Sequence, residues 1–245
     1  MSLRGPEIIR KSCLEGARSA EGLVVIIDVF RAFTCTPLFF HFGAERVILE
    51  ADPDKAITLK HDLPHSVLVG EVDEVPIKGG DMGNSPVEII LKGSSFFKGK
   101  TVIHRTTAGV IGVTVALGRA AQVILGSFVM AQAIAEFIKR SNTDKVALVA
   151  MGTRAKAPAP EDEACADYIE HLVNGKSYDH VEVLKQILFQ ETAQKFIMGK
   201  RPYLPREDPV FCLQRDLFNY VLMADREDGL VQIRKAISFI SGPKS

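Results

Sequence analysis

Six short apolar runs punctuate the first 150 residues of the chain. Each is rich in Val, Ile and Leu and shows little alternation with polar positions, a pattern typical of strands buried on both faces. We therefore predict strands at Glu21–Val29, Arg46–Glu50, Ser66–Gly70, Lys100–His104, Ala121–Leu125 and Lys145–Ala150.

The stretches between these runs carry helical signals. Ser85-Pro86-Val87-Glu88 is typical of a capping box with proline in the first turn. Further helices are predicted at Pro53–His61, Ala108–Ala120, Phe128–Arg140 and Pro160–Asn174. Strands that alternate with helices need crossover connections. We therefore predict a three-layer α/β/α fold whose central sheet is mostly parallel or mixed.

The rhythm changes after Lys176. Glu182–Met198 and Phe211–Ala224 show helical patterns on either side of a Pro-rich turn. Leu230–Ile237 is predicted to be a last strand at the edge of the sheet. Because no internal repeat, low-complexity tract or linker interrupts the chain, we expect one domain over residues 1–245.

Composition narrows the class of partner. The 30 basic residues balance 30 acidic ones, so the charge indicates neither nucleic acid nor a membrane surface. No apolar run approaches the ~20 residues of a membrane span, and Met1 to Lys11 lacks the apolar core of a signal peptide. The four cysteines are widely spaced, which argues against a zinc site and a disulfide scaffold. We expect a cytoplasmic protein and leave open whether it forms a homo-oligomer.

Polar and glycine-rich segments follow several predicted strands, where open α/β sheets bind ligands. A small phosphate ester is an anionic ligand that needs a cation and several N–H or O–H donors. The candidate cations are Arg31, Arg105 and Arg154, and the candidate donors are Thr34, Asn84, Ser85, Thr106 and Thr107. Gly109 would let backbone amides approach an anion. Thr106 and Thr107 can instead simply cap a helix, which is the commoner role of Thr there.

Acidic residues near the same strand ends indicate a metal. Mg²⁺ prefers oxygen ligands and usually takes one or two carboxylates plus the phosphate of the substrate. Asp28 is the strongest candidate because it ends an apolar strand, although an ion pair with Arg31 would also account for it. Glu71, Asp81 and the cluster at residues 161–163 (EDE) are further candidates. The helix dipole alone favours acidic residues in a first turn, so we expect at most one of these three to contact a ligand.

Several phosphatase and phosphate-binding signatures are absent. No cysteine is followed by Arg six positions later, so the loop of cysteine phosphatases is missing. Phe30 stands where an aspartyl-phosphate phosphatase would need a second Asp after Asp28. No Walker A loop occurs, and the six histidines show no zinc-binding spacing. A metal-assisted phosphatase site remains.

Several segments resemble, in the same order, motifs of the 2-phosphosulfolactate phosphatases (the ComB family). Residues 24–32 (VVIIDVFRA) resemble V-I-D-V-L-R-A, and Gly70-Glu71 resembles the start of G-E-R. Residues 81–86 (DMGNSP) are similar to D-x-G-N-S-P, the most specific of these motifs. Residues 106–109 (TTAG), 126–128 (GSF) and 161–166 (EDEACA) resemble T-T-N-G-T, G-S-F and E-D-x-x-C-A.

The resemblance implies a three-layer α/β fold, dependence on Mg²⁺ and hydrolysis of 2-phosphosulfolactate to sulfolactate and phosphate. In the family this reaction belongs to coenzyme M biosynthesis. Carried over to this chain, the resemblance implies catalytic roles for Asp28, Arg31, Glu71 and Asp162. The implied metal ligands are Asp28, Glu71, Asp81 and Asp162, and the implied phosphate-binding residues are Asn84, Ser85, Thr106, Thr107 and Gly109.

This sequence departs from the family pattern in ways that leave the substrate open. Val72 replaces the Arg of G-E-R, Ala108 and Val110 replace Asn and Thr, and Gly80 stands where the family has an aromatic residue. Losing one charge-assisted bond costs about 1.5–3 kcal/mol, and Arg105 could restore a cation nearby. The alternative function is a catalytically degenerate protein that still binds phosphate or sulfonate. A third interpretation treats these segments as capping and ion-pair devices in a protein that acts through its surface.

Overall fold

The structure, a computed structural model, describes residues 5–236. The strands in this part of the chain are β1 (Glu7–Ser12), β2 (Leu23–Ile27), β3 (Arg46–Glu50), β4 (Ser66–Val72), β5 (Val75–Pro76), β6 (Thr101–Arg105), β7 (Gln122–Gly126), β8 (Lys145–Ala150), β9 (Val221–Glu227) and β10 (Leu230–Ala236). The helices are α1 (Cys13–Arg18), α2 (Ala32–His41), α3 (Pro53–Asp62), α4 (Pro86–Phe97), α5 (Ala108–Ala116), α6 (Ala131–Arg140), α7 (Pro160–Asn174), α8 (His180–Leu188), α9 (Glu191–Ile197) and α10 (Asp208–Cys212).

All six predicted strands are confirmed, as β2, β3, β4, β6, β7 and β8. The apolar residues of β2 are fully buried, as its unbroken Val and Ile run predicts. The predicted helix at the capping box is also confirmed. α4 begins at Pro86, and the Ser85 hydroxyl accepts a hydrogen bond from Glu88 N–H (3.2 Å).

Two predictions about the last third of the chain are wrong. Phe211–Ala224 is not a helix, because α10 ends at Cys212 and β9 begins at Val221. The predicted edge strand corresponds to β10, apart from Ile237, which lies outside the described residues. It is not at the edge, because β10 lies inside the sheet between β9 and β3. β10 therefore has a neighbouring strand on each side. It pairs along its whole length with β9 in a hairpin, and its other edge pairs with β3.

The sheet has the strand order β1-β8-β2-β7-β9-β10-β3-β6-β4-β5. β1, β8, β2 and β7 form one parallel group, and β3, β6 and β4 form a second. The hairpin of β9 and β10 joins the groups through antiparallel pairs on both sides. The predicted α/β class with a mostly parallel, mixed sheet flanked by helices is therefore confirmed.

Two helices cross between the parallel groups and bring their strand ends together. α2 leaves β2 and packs on α4 and β3 of the second group, whereas α5 leaves β6 and packs on α1 and β2 of the first. Close packing is possible because α5 carries Gly112, where a Cβ atom would lie 2.4 Å from Met151 Sδ. The ends of β2 and β6 therefore face the same cleft.

No helix among residues 5–236 combines the length and apolar character that crossing a membrane requires.

Candidate active site

A cleft of about 100 Å³, open to solvent, lies where the loops after β2, β4, β6 and β8 meet. Segments from both parallel groups and from α7 and α9 contribute to its walls. The lining residues are Asp28, Phe30, Arg31, Ala32, Glu71, Asp73, Glu74, Asn84, Thr106, Thr107, Ala108, Gly152, Thr153, Arg154, Glu161, Asp162 and Lys195.

The Asp28 carboxylate is held by backbone amides at the base of this cleft. Its Oδ2 accepts a hydrogen bond from Gly109 N–H (2.9 Å), and its Oδ1 accepts one from Ala32 N–H (3.3 Å). Burial, followed by the charges of the nearby Glu71 and Glu161 carboxylates, nevertheless raises the pKa of Asp28 to about 6. Arg31 does not pair with it, so the ion-pair explanation of Asp28 is wrong.

Asp162 is fixed in the same manner from the other side. Its two oxygens accept hydrogen bonds from Val29 N–H and Gly152 N–H, both at 2.8 Å. Burial, followed by the charges of Glu161 and Asp28, raises the pKa of Asp162 well above its ordinary value. Three carboxyl groups that disfavour one another's ionisation therefore share one cleft, a pattern that marks functional sites.

Two residues of the acidic cluster, Glu161 and Asp162, line the cleft, and the expectation that at most one of the three contacts a ligand stays a prediction. Glu161 is buried and accepts a hydrogen bond from the Thr192 hydroxyl (2.8 Å). Burial raises the pKa of Glu161 as well. Glu163 points elsewhere and bonds to Arg10 (3.1 Å).

Arg31 is anchored by a residue that the sequence analysis missed. Its Nη1 donates to Asp208 Oδ2 (2.8 Å), and both side chains are almost completely buried. Asp208 Oδ1 accepts from the Ser85 hydroxyl (2.6 Å) and from Val87 N–H (3.3 Å). Ser85 therefore lies behind the cleft lining and connects Arg31 to the start of α4. The signal was an Asp immediately before Pro209, inside a segment interpreted only as a turn.

The threonines after β6 do not cap α5. Neither Thr106 nor Thr107 makes a side-chain capping bond at its start. Thr107 Oγ1 accepts a hydrogen bond from Arg105 Nη1 (3.3 Å), whereas Thr106 Oγ1 is buried and has no partner among residues 5–236. A buried hydroxyl without a partner costs roughly 1–3 kcal/mol. The capping interpretation therefore fails, and the Thr106 hydroxyl remains available to a ligand in the cleft.

The backbone N–H of Gly109 binds the Asp28 carboxylate and is not free to bind an anion. Its N–H donates to Asp28, and a Cβ atom at this position would lie 2.9 Å from Asp28 Oδ2 and 2.8 Å from the Phe33 ring. Glycine is therefore required for the close approach of α5 to Asp28.

A buried histidine orients Asn84. His104 Nε2 lies 2.9 Å from Asn84 Oδ1, and His104 Nδ1 lies 3.3 Å from the Thr36 hydroxyl. Burial lowers the pKa of His104 to about 3, so the imidazole is neutral at pH 7. With Asn84 Oδ1 as acceptor, the ring proton lies on Nε2, and the amide N–H groups of Asn84 are left for a ligand.

This histidine predicts a loss of stability in acid. An unfolded histidine has a pKa of about 6.5, so below that pH the unfolded chain binds a proton that folded His104 refuses. Its contribution to the free energy of unfolding should fall by about 2 kcal/mol between pH 7 and pH 5. Urea unfolding at pH 7 and at pH 5 measures the free energy of unfolding that is lost between the two. This loss should be smaller by about 2 kcal/mol in His104→Gln than in the unsubstituted protein. Equal losses would contradict a neutral buried His104.

Two predicted site residues do not reach the cleft. The Asp81 carboxylate pairs with Lys60 (2.9 Å) and accepts from Leu68 N–H (2.7 Å), on the far side of β4. Arg105 donates to the backbone carbonyls of Ala51 (3.0 Å) and Glu71. The Asp81 carboxylate, predicted to bind a metal, and the Arg105 guanidinium, predicted to bind phosphate, therefore form contacts within the protein instead.

The positions that depart from the family pattern differ in their surroundings. Ala108 lines the cleft, so a longer polar side chain there would face a ligand. Val110 is buried in the core, and Val72 is exposed at the end of β4 beside Val75. Of these three substitutions, the one at Ala108 directly alters the cleft surface.

The charges of the lining favour a cation. Carboxylates outnumber basic side chains: Asp28, Glu71, Asp73, Glu74, Glu161 and Asp162 face Arg31, Arg154 and Lys195. Each of these three basic side chains is already paired with a carboxylate. An anionic substrate would therefore meet a cleft whose own cations are neutralised. No group of three or more His, Cys, Asp or Glu side chains within residues 5–236 forms a ready-made metal cage. This arrangement fits Mg²⁺, which needs only one or two carboxylates when substrate phosphate and water complete its shell.

Comparisons with known proteins agree over most of the chain. A family model described as 2-phosphosulpholactate phosphatase matches residues 9–227. A protein of Bacillus subtilis (strain 168) named "Probable 2-phosphosulfolactate phosphatase" is 32% identical over 212 residues, which cover 84% of this chain and 88% of the relative. A protein of Caldanaerobacter subterraneus subsp. tengcongensis with the same name is 30% identical over 211 residues, which cover 81% of this chain and 86% of the relative. The match includes both walls of the cleft.

Proposed function

This chain belongs to the 2-phosphosulpholactate phosphatase family, and we propose that it hydrolyses 2-phosphosulfolactate to sulfolactate and phosphate with the help of Mg²⁺. The observation that carries the proposal is the buried hydroxyl of Thr106, which has no partner within residues 5–236 and lies in a cleft lined by carboxylates. A hydroxyl without a partner in the protein is suited to donate to an oxygen of a bound phosphoryl group.

The donors of the cleft are arranged for an oxyanion. The amide of Asn84, which precedes α4, and the hydroxyl of Thr106, which follows β6, line the same cleft as Asp28. Arg31 lines the same cleft, and its ion pair with Asp208 holds its guanidinium in place. Such fixed donors stabilise charge on a transferring phosphoryl group without reorganising during the reaction.

Asp28, Glu71, Glu161 and Asp162 are the residues that would hold Mg²⁺. When bound, the ion supplies positive charge that neutralises phosphoryl oxygens and lowers the pKa of water. Burial raises the pKa values of Asp28, Glu161 and Asp162, and the charges of neighbouring carboxylates add to the effect for Asp28 and Asp162. A cation among these carboxylates would offset their charge, which gives the cleft a physical preference for a metal.

We also propose that the reaction takes place in the cytoplasm, within coenzyme M biosynthesis. The four cysteines Cys13, Cys35, Cys165 and Cys212 are free thiols, as a reducing compartment favours.

Phosphate release from 2-phosphosulfolactate tests the proposal. We expect turnover with Mg²⁺, a loss of at least about tenfold after treatment with EDTA and recovery when Mg²⁺ is restored in excess. Turnover that is equal with and without chelator would contradict the role of the metal. Binding of 2-phosphosulfolactate without any release of phosphate would contradict hydrolysis and favour a degenerate phosphate- or sulfonate-binding protein.

A further inference from the structure

The basic side chains that line the cleft differ in how firmly they are held. Arg31 and its partner Asp208 are 4% and 0% exposed, and Asp208 has two further hydrogen bonds. Lys195 Nζ is bonded to Glu74 Oε1 (2.5 Å), and these side chains are 24% and 33% exposed. A pair open to solvent is weak because water screens it. Lys195 can therefore change partners on ligand binding, whereas Arg31 cannot.

Glu74 holds two cations at the mouth of the cleft. While Oε1 accepts from Lys195, Oε2 accepts from Arg201 Nη1 (2.7 Å). Glu74 lies in the turn between β4 and β5, whereas Lys195 lies on α9, so the contact joins opposite walls. The Lys195 ammonium also lies 5.3 Å from the centre of the Phe196 ring, which leaves the group on the cleft side of α9.

The chemistry at the base of the cleft accounts for one anionic group only. Thr106 and Asn84 offer donors there, beside the carboxylates suited to a metal. A substrate that carries a second anion must place it nearer the mouth, where Lys195 is the half-buried cation. Arg154 also lines the mouth, but it is 65% exposed and paired with Asp73, so solvent screens it more strongly.

We propose that Lys195 selects phosphomonoesters that carry a second anionic group, such as a carboxylate or sulfonate, and that Glu74 competes with this group for Lys195. The proposal rests on the proposed phosphatase function and assigns Lys195 a specificity-determining role. In the free protein Glu74 forms an ion pair with Lys195. In the complex the second anion of the substrate takes its place, and Glu74 keeps Arg201.

Two substrates that differ by one charge provide the test. 2-Phospholactate has a carboxylate as its second anion, and its methyl ester has the same skeleton without that charge. The readout is the ratio of the KM for 2-phospholactate to the KM for the methyl ester, measured with Mg²⁺. Lys195→Gln should raise this ratio about tenfold, as expected for one charge-assisted hydrogen bond.

Glu74→Gln should change the ratio in the opposite direction. Removing the competing carboxylate frees Lys195, so the ratio should fall by about threefold, consistent with the modest strength of a solvent-exposed ion pair. The double variant Glu74→Gln/Lys195→Gln should behave like Lys195→Gln. A purely structural contact between the β4–β5 turn and α9 predicts instead that both single variants impair binding of both substrates alike.

The matched control is the ion pair of Glu182 and Lys185 on α8, which joins a carboxylate and an ammonium (3.3 Å) outside the cleft lining. Glu182→Gln and Lys185→Gln should leave the ratio unchanged. An unchanged ratio in Lys195→Gln, or a fall in Glu74→Gln that persists in the double variant, would overturn the assignment. The second result would assign the effect to Arg201.

The proposed function and this inference fail in different ways. If the unsubstituted protein releases no phosphate from any substrate, hydrolysis is wrong, and the same ratio is then taken from dissociation constants by calorimetry. If it turns over both substrates and Lys195→Gln leaves the ratio unchanged, the role of Lys195 is wrong while hydrolysis stands.

Discussion

Replacing Asp28 by asparagine is expected to lower kcat/KM for phosphate release by about 10²- to 10³-fold, the range for removing one preorganised electrostatic group from an active site. The Asp28 carboxylate lies at the base of the cleft, with one backbone N–H on each oxygen. Asparagine has nearly the same shape but lacks the charge, so it can neither bind Mg²⁺ as an anion nor favour a cation beside Glu161 and Asp162.

Asp81→Asn is the matched control for this substitution. Asp81 was also a predicted metal ligand, but its carboxylate pairs with Lys60 outside the cleft. Steady-state phosphate release should therefore be lost in Asp28→Asn and retained in Asp81→Asn, with circular dichroism showing that both variants are folded. Similar activity in the two variants would contradict the placement of the reaction at Asp28.

The contrast between Asp28 and Asp81 shows why the sequence could predict only part of the site. Asp28 directly follows a fully buried strand, so local pattern predicted its position at a strand end. Asp81 lies in the most family-specific motif, yet its carboxylate faces Lys60. A motif identifies which residues occur together in sequence, whereas side-chain direction depends on the turn that carries them.

Asp208 was missed for a related reason. It reaches Arg31 across 177 positions of the chain, and no local pattern announces such a contact. The structure shows that Arg31 is buried, and a buried guanidinium needs an acidic partner. Knowing that a partner is required does not identify which of 30 acidic residues supplies it.

The fold was predictable where periodicity determines it. Six of the seven parallel strands are apolar runs and were predicted correctly, whereas β1 (EIIRKS) mixes charged and apolar residues and was missed. β9 carries charged residues along half its length, so its apolar pattern is broken. The hairpin signal was present, since Asp228 and Gly229 both have positive φ and Asp-Gly is a typical two-residue turn. The strand order could not be predicted, because insertion of this hairpin between two parallel groups depends on contacts between distant segments.

Thr106→Val is expected to make the protein less active and more stable. Valine replaces a hydroxyl by a methyl group at almost constant volume, in a side chain that is 2% exposed. Because Thr106 Oγ1 has no partner within the described part of the chain, its removal should raise the free energy of unfolding of the ligand-free protein by about 1–3 kcal/mol. The same hydroxyl should donate to a phosphoryl oxygen, so kcat/KM should fall by about 10- to 100-fold.

Thr114→Val on α5 supplies the comparison. The Thr114 hydroxyl donates to the Val110 carbonyl (2.8 Å) outside the cleft lining, so this substitution removes a satisfied hydroxyl from the helix that follows Thr106. It should not increase stability, and it should leave phosphate release unchanged. Urea unfolding and steady-state kinetics on both variants separate the possibilities. A Thr106→Val protein that keeps full activity would show that the hydroxyl does not contact the substrate. If it lost stability as well, the hydroxyl would have a structural partner, and the physical basis for placing phosphate in this cleft would be removed.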